Sequence, residues 1–281
     1  MELSDLAVFR TVVEAGGITK AAGRLNRVQS NITTRMKKLE EDLGVALFCR
    51  HGRGVKLAPA GMVLLTYAQR MLELADEARE AVRGGTLTGN LRLGTMASTA
   101  AVRLPVPLAA FHRRYPDITL ELRTGASYPL ISQVLQGELD VALVAEPVED
   151  PRLETRAVYV EDLVVVMPPG ASAPDGKRLT LLTFVQGCAY RKHLEDWVTA
   201  RGVIPDRIVE MTSYHGMLGC VAAGMGIALV PASLLESHPG RSSLSLLPLG
   251  PEGRIRTLLV WRKAASRARI DALAEILMTV L

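Results

Sequence analysis

Cysteine is scarce in this 281-residue chain, and its three copies, Cys49, Cys188 and Cys220, lie far apart. No CxxC occurs, which argues against a disulfide framework and against a zinc ribbon. The five histidines (His51, His112, His193, His215 and His238) show no metal-ligand spacing such as HExxH. Neither a metal nor another cofactor is therefore expected. No uninterrupted apolar run reaches the roughly 18 residues that argue for a transmembrane helix. The opening MELSDLAVFR carries Glu2 and Asp5 and lacks the basic-then-apolar order of a signal peptide. A cytoplasmic protein without membrane association is the expectation. Low-complexity tracts are absent too. With 48% hydrophobic and 22% charged residues, the composition is that of a globular protein whose length suits about two domains.

What charge imbalance exists is concentrated. The net charge is +4. Residues 1–58 hold 10 Lys+Arg against 6 Asp+Glu, and the remaining residues hold 23 of each. A local basic excess on a small helical segment is the footprint of nucleic-acid binding, although a solvated surface has the same composition.

Three short helices are predicted here. The first follows Ser4 as N-cap, with Leu6, Phe9 and Val13 on one face, and ends at Gly16-Gly17. The second runs from about Ile18 to Leu25, with Asn26-Arg27 making the turn. The third runs from about Val28 to Leu43, and Gly44 stops it. In the third helix Ile32, Met36, Leu39 and Leu43 form the buried stripe. Gln29, Ser30, Asn31, Thr33, Thr34, Arg35, Lys37 and Lys38 are polar and fall outside it. Gln and Arg side chains suit base edges, Ser and Thr suit bases or phosphates, and the two lysines suit phosphates. An amphipathic helix of any bundle has two such faces, but a helix, tight turn and helix in series favour a reader of double-stranded DNA. Residues 47–57 then read as a hairpin carrying Arg50, Arg53 and Lys56, a wing that tracks phosphates.

The spacing of Phe9, Thr19-Lys20-Ala21-Ala22, Leu25, Gln29-Ser30, Leu39-Glu40, Leu43-Gly44, Leu47-Phe48, Arg50, Leu57 and Ala60-Gly61 resembles the DNA-binding domain of LysR-type transcriptional regulators. The resemblance carries base and phosphate contacts onto Gln29, Ser30, Thr33, Arg35, Arg50 and Arg53. Three positions depart from the pattern. Gly17 stands in place of a Ser cap, Val28 in place of Ser or Thr, and Ala58 in place of Thr. Of these only Val28 touches the recognition face, where it removes a polar contact.

Residues 59–86 are expected to form a linker helix and a joint. Pro59 suits a first turn, and Leu64, Ala68, Met71, Ala75, Ala78 and Val82 make a heptad seam. The alternative is a surface helix of the globular body. A seam joining two domains favours dimerisation and an inverted-repeat operator. The resemblance implies the same, with tetramers as a further assembly. Gly84-Gly85-Thr86 would break the helix.

Over 87–281, short apolar runs alternate with helical stretches, which predicts an α/β fold with mostly parallel strands. Two blocks meeting near Val160-Glu161 suggest two lobes, at about 87–161 plus 266–281 and about 162–265. A helix is expected over Ala100–Tyr115, and the second block opens with a strand at Leu163–Met167. The final helix returns to the first lobe. The resemblance implies a two-lobed effector domain similar to periplasmic binding proteins. Ligands in open α/β sheets sit beyond the strand ends near helix N-termini. Candidate effector contacts are Thr95, Ser98, Thr99, Thr124, Ser127, Cys188, Tyr190, Arg191, Ser213, Tyr214 and His215. Their hydroxyls suit a small, anionic effector, although each is equally placed to cap its own helix.

Cys188 starts a helix beside Arg191 and Lys192, a setting expected to lower its pKa. Peroxide-sensing members of the family carry a reactive cysteine in a similar loop, so thiol-based redox sensing is an alternative reading. A cysteine enzyme using Cys188 with His193 or His215 leaves the first 83 residues unexplained. A solute-binding or transport protein conflicts with the helix-turn-helix. The reading that absorbs most of the sequence is a sequence-specific regulator rather than an enzyme. It is controlled by a small-molecule effector, with RNA polymerase as a further partner if it activates.

Overall fold

The computed structural model describes residues 1–51, 54–82, 87–172, 179–236 and 238–279. The chain divides into two compact units, Met1–Thr86 and Leu87–Leu281.

In the first unit, α1 (Leu3–Glu14), α2 (Ile18–Arg24) and α3 (Gln29–Leu43) enclose Leu6, Phe9, Val12, Ile32, Met36 and Leu39. The two apolar stripes are thus the buried ones, with Val13 and Leu43 half-buried at the edge. Ser4 is not the cap that its residue type suggests. Glu2 takes the N-cap position, its N–H donates to the Asp5 carboxylate at 3.3 Å, and Ser4 lies inside the first turn. β1 (Phe48–His51) and β2 (Gly54–Leu57) pair antiparallel as the wing. The Glu40 carboxylate accepts the N–H groups of Leu47 (2.8 Å) and Phe48 (3.2 Å) and so fixes the strand entry to α3. The Phe48 ring lies 5.5 Å from that of Phe9, which closes the core.

α4 (Pro59–Val82) leaves only part of the expected seam exposed. Ala68 is fully buried and Leu64 half-buried against the helix-turn-helix core, together with Leu65 and Leu72. That side is occupied by the protein's own α1. The exposed large apolar residues of α4, among those described, are Met62, Val63, Tyr67, Met71, Leu74 and Val82, of which Met71 and Val82 belong to the expected seam. Gly61 permits the close approach, because a Cβ there would strike the carbonyl of Leu47 and lie 2.7 Å from Leu57 Cδ2. The Gly84–Thr86 joint lies outside the described residues.

The second unit has two lobes. The first is built from β3 (Gly89–Thr95), α5 (Ala97–Val102), α6 (Pro105–Arg114), β4 (Ile118–Thr124), α7 (Ser127–Gln136) and β5 (Val141–Ala145). The helix expected over Ala100–Tyr115 is therefore two helices. Pro105 has no N–H with which to continue a helix but suits a first turn, so α6 starts afresh there. β6 (Leu153–Met167) then runs 15 residues out of the first lobe into the second. The second lobe adds β7 (Thr180–Thr183), α8 (Ala189–Ala200), β8 (Arg207–Glu210), α9 (Tyr214–Ala222), β9 (Ala228–Pro231), α10 (Ala232–Glu236) and β10 (Ser245–Pro248). β11 (Arg254–Arg262) and α11 (Ala268–Thr279) complete the chain. As the sequence suggests, α11 packs into the first lobe: Ile270, Leu273 and Leu277 lie with Leu91, Leu93, Phe111 and Val141.

Two expectations change here. Leu163–Met167 is the far end of one long strand rather than the start of a new block. β11 pairs with β5 over Thr257–Trp261, so it belongs to the first lobe's sheet although its sequence position suggested the second. The sheets are mixed rather than mostly parallel. β3 is parallel to β4 and β5, and β7 to β8, but β6 runs antiparallel to β9, β10 and β11. The physical reason is connectivity: strands that carry the chain out to one lobe and back lie side by side in opposite directions.

Gly61→Ala should lower the stability of the first unit by about 1–3 kcal/mol. Gly23→Ala, where a Cβ meets nothing within 4 Å, should leave it unchanged or raise it slightly. Thermal unfolding of the two variants checks this; equal melting temperatures would remove the Gly61 contact as a constraint.

Candidate DNA interface and effector cleft

On α3 the residues Gln29, Ser30, Asn31, Thr34, Lys37 and Lys38 are exposed, and Thr33 and Arg35 are half-buried. They do not form one equivalent set. Thr33 Oγ1 donates to the Gln29 carbonyl at 2.9 Å. The Arg35 guanidinium is committed to α1: Nε and Nη2 donate to Asp5 Oδ1 at 3.0 and 2.8 Å, and Nη2 donates to Ser4 Oγ at 2.6 Å. Asp5 is the more buried partner, so the pair ties two helices together. Arg35, expected from its position to read bases, is thus half-buried and paired with α1. The side chain of Arg50 and the whole of Arg53 lie outside the described residues.

Other groups at the same end are exposed and were not singled out by sequence. Lys20 and Arg24 lie on α2, and Arg27 lies in the turn. Their charge entered the basic count; Arg27 directly precedes the N-cap of α3, and α2 packs against α3. Val28 is the N-cap of α3 and is 70% exposed. It presents methyl groups where the sequence suggested only a lost contact.

In the second unit a cavity of about 220 Å³ lies between the lobes. From the first lobe come Met96, Ala97 and residues 124–127. From the second come Phe184, Val185, Cys188, Tyr190, Met211, Thr212 and Tyr214. The two lobes touch at its rim, where the Tyr128 N–H donates to the Gly187 carbonyl at 3.2 Å. Gly187 has φ +88°, and a Cβ on it would lie 3.1 Å from Pro129 Cδ. A side chain there would be both strained and obstructive.

Of the expected effector residues, Thr124, Ser127, Cys188, Tyr190 and Tyr214 line the cavity. Thr95, Ser98 and Thr99 are buried next to it, outside the lining. Ser213 and His215 are exposed, and the His215 ring packs on His238 at 5.0 Å. Arg191 is turned away: it holds Glu195 at 2.8 Å, Glu210 at 2.5 Å and the Phe184 carbonyl at 3.2 Å. The walls contributed by Phe184, Val185, Met211 and Thr212 were missed. Their signal was their position just beyond the ends of β7 and β8.

Among the described residues, no Lys, Arg, Asp or Glu lines this cavity. Its polar character comes from neutral groups. Burial pushes the Tyr190 and Tyr214 phenols well above the usual tyrosine range, with Ser98 alongside working weakly the other way. Both phenols are therefore hydrogen-bond donors throughout the neutral range. The Tyr190 hydroxyl and Ser98 Oγ are buried without a partner among the described residues. Each such group costs about 1–3 kcal/mol unless something pairs with it.

Residues 3–62 match the bacterial regulatory helix-turn-helix protein, lysR family, and residues 84–281 match the LysR substrate binding domain. The chain belongs to the LysR family of transcriptional regulators. It is 39% identical over 269 residues to the uncharacterized regulator YusT of Bacillus subtilis, covering 94% of this chain and 90% of that one. It is 38% identical over 262 residues to the regulator GltR of the same organism, covering 92% and 85%. Among solved structures, a full-length OxyR variant from Pseudomonas aeruginosa superposes with a TM-score of 0.78 at 26% identity, covering 99% of this chain and 95% of that chain. CbnR complexed with its target DNA superposes with a TM-score of 0.65 at 27% identity, covering 99% of both. This LysR-family protein is thus a DNA-binding transcriptional regulator with an effector-binding domain. Among its described residues, no helix is long and apolar enough to cross a membrane.

Within the LysR fold, Cys188 is not the activated thiol that its helix-start position suggested. Burial pushes its pKa up, and this outweighs the backbone N–H groups of Arg191 and Tyr190 and the nearby guanidinium. Arg191 spends its charge on two carboxylates. His193 Nε2 lies 2.7 Å from the Glu252 carbonyl, and His215 stacks on His238, so neither is committed to Cys188 as a base.

A raised pKa means a smaller thiolate fraction at neutral pH and slower alkylation. Iodoacetamide should modify exposed Cys49 well before Cys188, as read by peptide mass spectrometry. Faster labelling of Cys188 would contradict the buried-thiol assignment.

Proposed function

We propose that this LysR-family regulator reads an inverted-repeat operator as a dimer and responds to a small effector with an apolar body and a compact polar or anionic head. The observation that carries the effector class is the interlobe cavity, apolar over most of its wall and polar only through neutral donors. α7, α8 and α9 all begin at the cavity, so their free N–H groups favour a carboxylate or carbonyl there. The unpaired Tyr190 hydroxyl supplies a further donor. Thr124, Ser127 and Cys188 complete the polar contacts. The body of the effector packs on Met96, Phe184, Val185 and Met211.

On DNA, Gln29, Ser30, Asn31 and Thr34 are placed to read base edges, and Val28 suits a thymine methyl group. Lys37, Lys38, Lys20, Arg24 and Arg27 suit phosphates, with Arg50 and Arg53 of the wing. The exposed face of Val63, Tyr67, Met71 and Leu74 on α4 suits self-association. Dimers or tetramers would hold two reading heads at the spacing of paired half-sites. Effector binding shifts the balance between lobe arrangements and so the DNA-bound state. Acting on chromosomal DNA places the protein in the cytoplasm. If it activates transcription, RNA polymerase is its further partner.

Gln29→Ala should weaken binding to the selected operator about 5- to 100-fold, as for loss of a bidentate base contact worth about 1–3 kcal/mol, and leave binding to random DNA almost unchanged. Gel-shift titrations on both DNAs check this, and equal losses would remove Gln29 from base reading. Screening small carboxylates and amino acids by thermal shift should yield ligands whose stabilisation disappears in Ala126→Trp, which fills the interlobe cavity. Effector binding would lie elsewhere if every stabilising ligand found acted as strongly on the variant as on the parent.

A further inference from the structure

The cavity between the lobes is not the largest in the second unit. A second cavity of about 560 Å³ lies on the outer side of the second lobe and shares no residue with the first. Its volume falls in the range of roughly 300–1,000 Å³ typical of small-molecule sites. The β-sheet register explains its floor. Asp162 lies opposite Arg254 on β11, Val164 opposite Pro248 and Val166 opposite Leu246 on β10. Directly opposed residues share a face and alternate residues of a strand return to it, so all six side chains project to one side. That side is covered by Leu218 and Val221 of α9 and by Leu234 and Leu235 of α10. But α10 has only five residues, and the sheet beside it is left open.

The opening has a charged rim over an apolar floor. Arg254 comes from the start of β11 and Arg241 from the short 3-10 turn Arg241–Ser243. Asp162 is the one carboxylate in the lining among the described residues. None of these three side chains enters an ion pair or a side-chain hydrogen bond among the described residues, whereas most arginines of this unit are engaged. Two uncommitted guanidinium groups and one carboxylate share the lining, which leaves the rim net positive among the described residues. Guanidinium groups hold carboxylates in a two-pronged, charge-assisted geometry. Leu235, Leu246 and Val164 offer an apolar seat next to them.

We propose that this cavity is a second ligand site, selective for small organic monocarboxylates with an apolar tail. Arg241 and Arg254 hold the carboxylate, and Asp162 sets selectivity by repelling a second negative charge. The site rests on β6 and β11, the two strands shared by the lobes. Its occupant therefore touches the junction without entering the cleft.

The test uses the full chain, with hexanoate as probe, hexan-1-ol as its uncharged counterpart and inorganic phosphate as a bare anion. Titrations are followed by calorimetry and by saturation-transfer NMR, in the parent and in Ala126→Trp, whose interlobe cavity is filled. Hexanoate should bind at millimolar concentration in both backgrounds, with hexan-1-ol and phosphate weaker. The exposed pair Arg241→Gln/Arg254→Gln should weaken hexanoate by about tenfold or more with an unchanged melting temperature, and Asp162→Asn should tighten it. The proposal is overturned by any of three results: no hexanoate binding in Ala126→Trp, undiminished binding in the double variant, or hexan-1-ol binding as well as hexanoate. The first would mean that the cleft alone takes the acid. The last would mean an apolar hole without anion recognition.

Discussion

The antiparallel pairing of β6 with β11 is the constraint on which the second unit depends. The pairing runs from Leu153↔Arg262 to Asp162↔Arg254, with one irregularity at Thr257/Leu258. Together the two strands join the sheets of both lobes. β6 continues to β9 and β10, and β11 continues to β5. At the crossing sits Glu161, only 4% exposed. A buried carboxylate without partners would be severely destabilising. Here Arg103, at the end of α5, donates to it at 2.7 and 3.1 Å, and Ser233 of α10 donates at 2.7 Å. The charge collects one partner from each lobe. The Arg103 guanidinium is correspondingly held in its charged form by that carboxylate.

This arrangement separates two jobs. Charge is spent at the crossing and on the outer surface, and the cleft is left neutral. Arg103 goes to Glu161, and Arg191 to Glu195 and Glu210. What faces the interlobe cavity is a set of phenols, hydroxyls, helix starts and thioethers. A neutral cleft discriminates by shape and hydrogen-bond direction more than by charge. The Tyr128–Gly187 backbone contact at its rim further limits size, because Gly187 brings the lobes together without a side chain between them.

Local signals were legible in the sequence. The apolar stripes of α1 and α3, the turn between α2 and α3, the wing and the alternation after Leu87 each depend on neighbours in the chain, and the helix and strand positions followed from them. Relations between distant residues were not legible. Arg35 reads as an exposed base contact until the fold brings Asp5, 30 residues away, against it. The seam that periodicity gives for α4 includes Leu64 and Ala68, which pack into the helix-turn-helix core, and no count along α4 reveals this. β6 was cut at Leu163 because its first half alternates exposed and covered positions, and only its final stretch is continuously buried. In the cleft, the hydroxyl-bearing loops were found by their residue types. The apolar walls from Phe184 to Met211 carry no chemical signature of their own and became visible only when two strand ends met.

The pairing of Arg35 with Asp5 also bears on how this protein responds to ionic strength. Each phosphate neutralised by a protein cation releases condensed counterions, and the salt dependence of affinity steepens by about 0.9 in logarithmic slope for each one. A guanidinium already balanced inside the protein releases none. Of the three cations on α3, Lys37 and Lys38 are exposed and Arg35 is paired with Asp5, so a head that keeps this pair on DNA releases one counterion fewer than its cation count implies. The Arg35–Asp5 pair is half-covered, so salt screens it less than it screens the exposed cations around it.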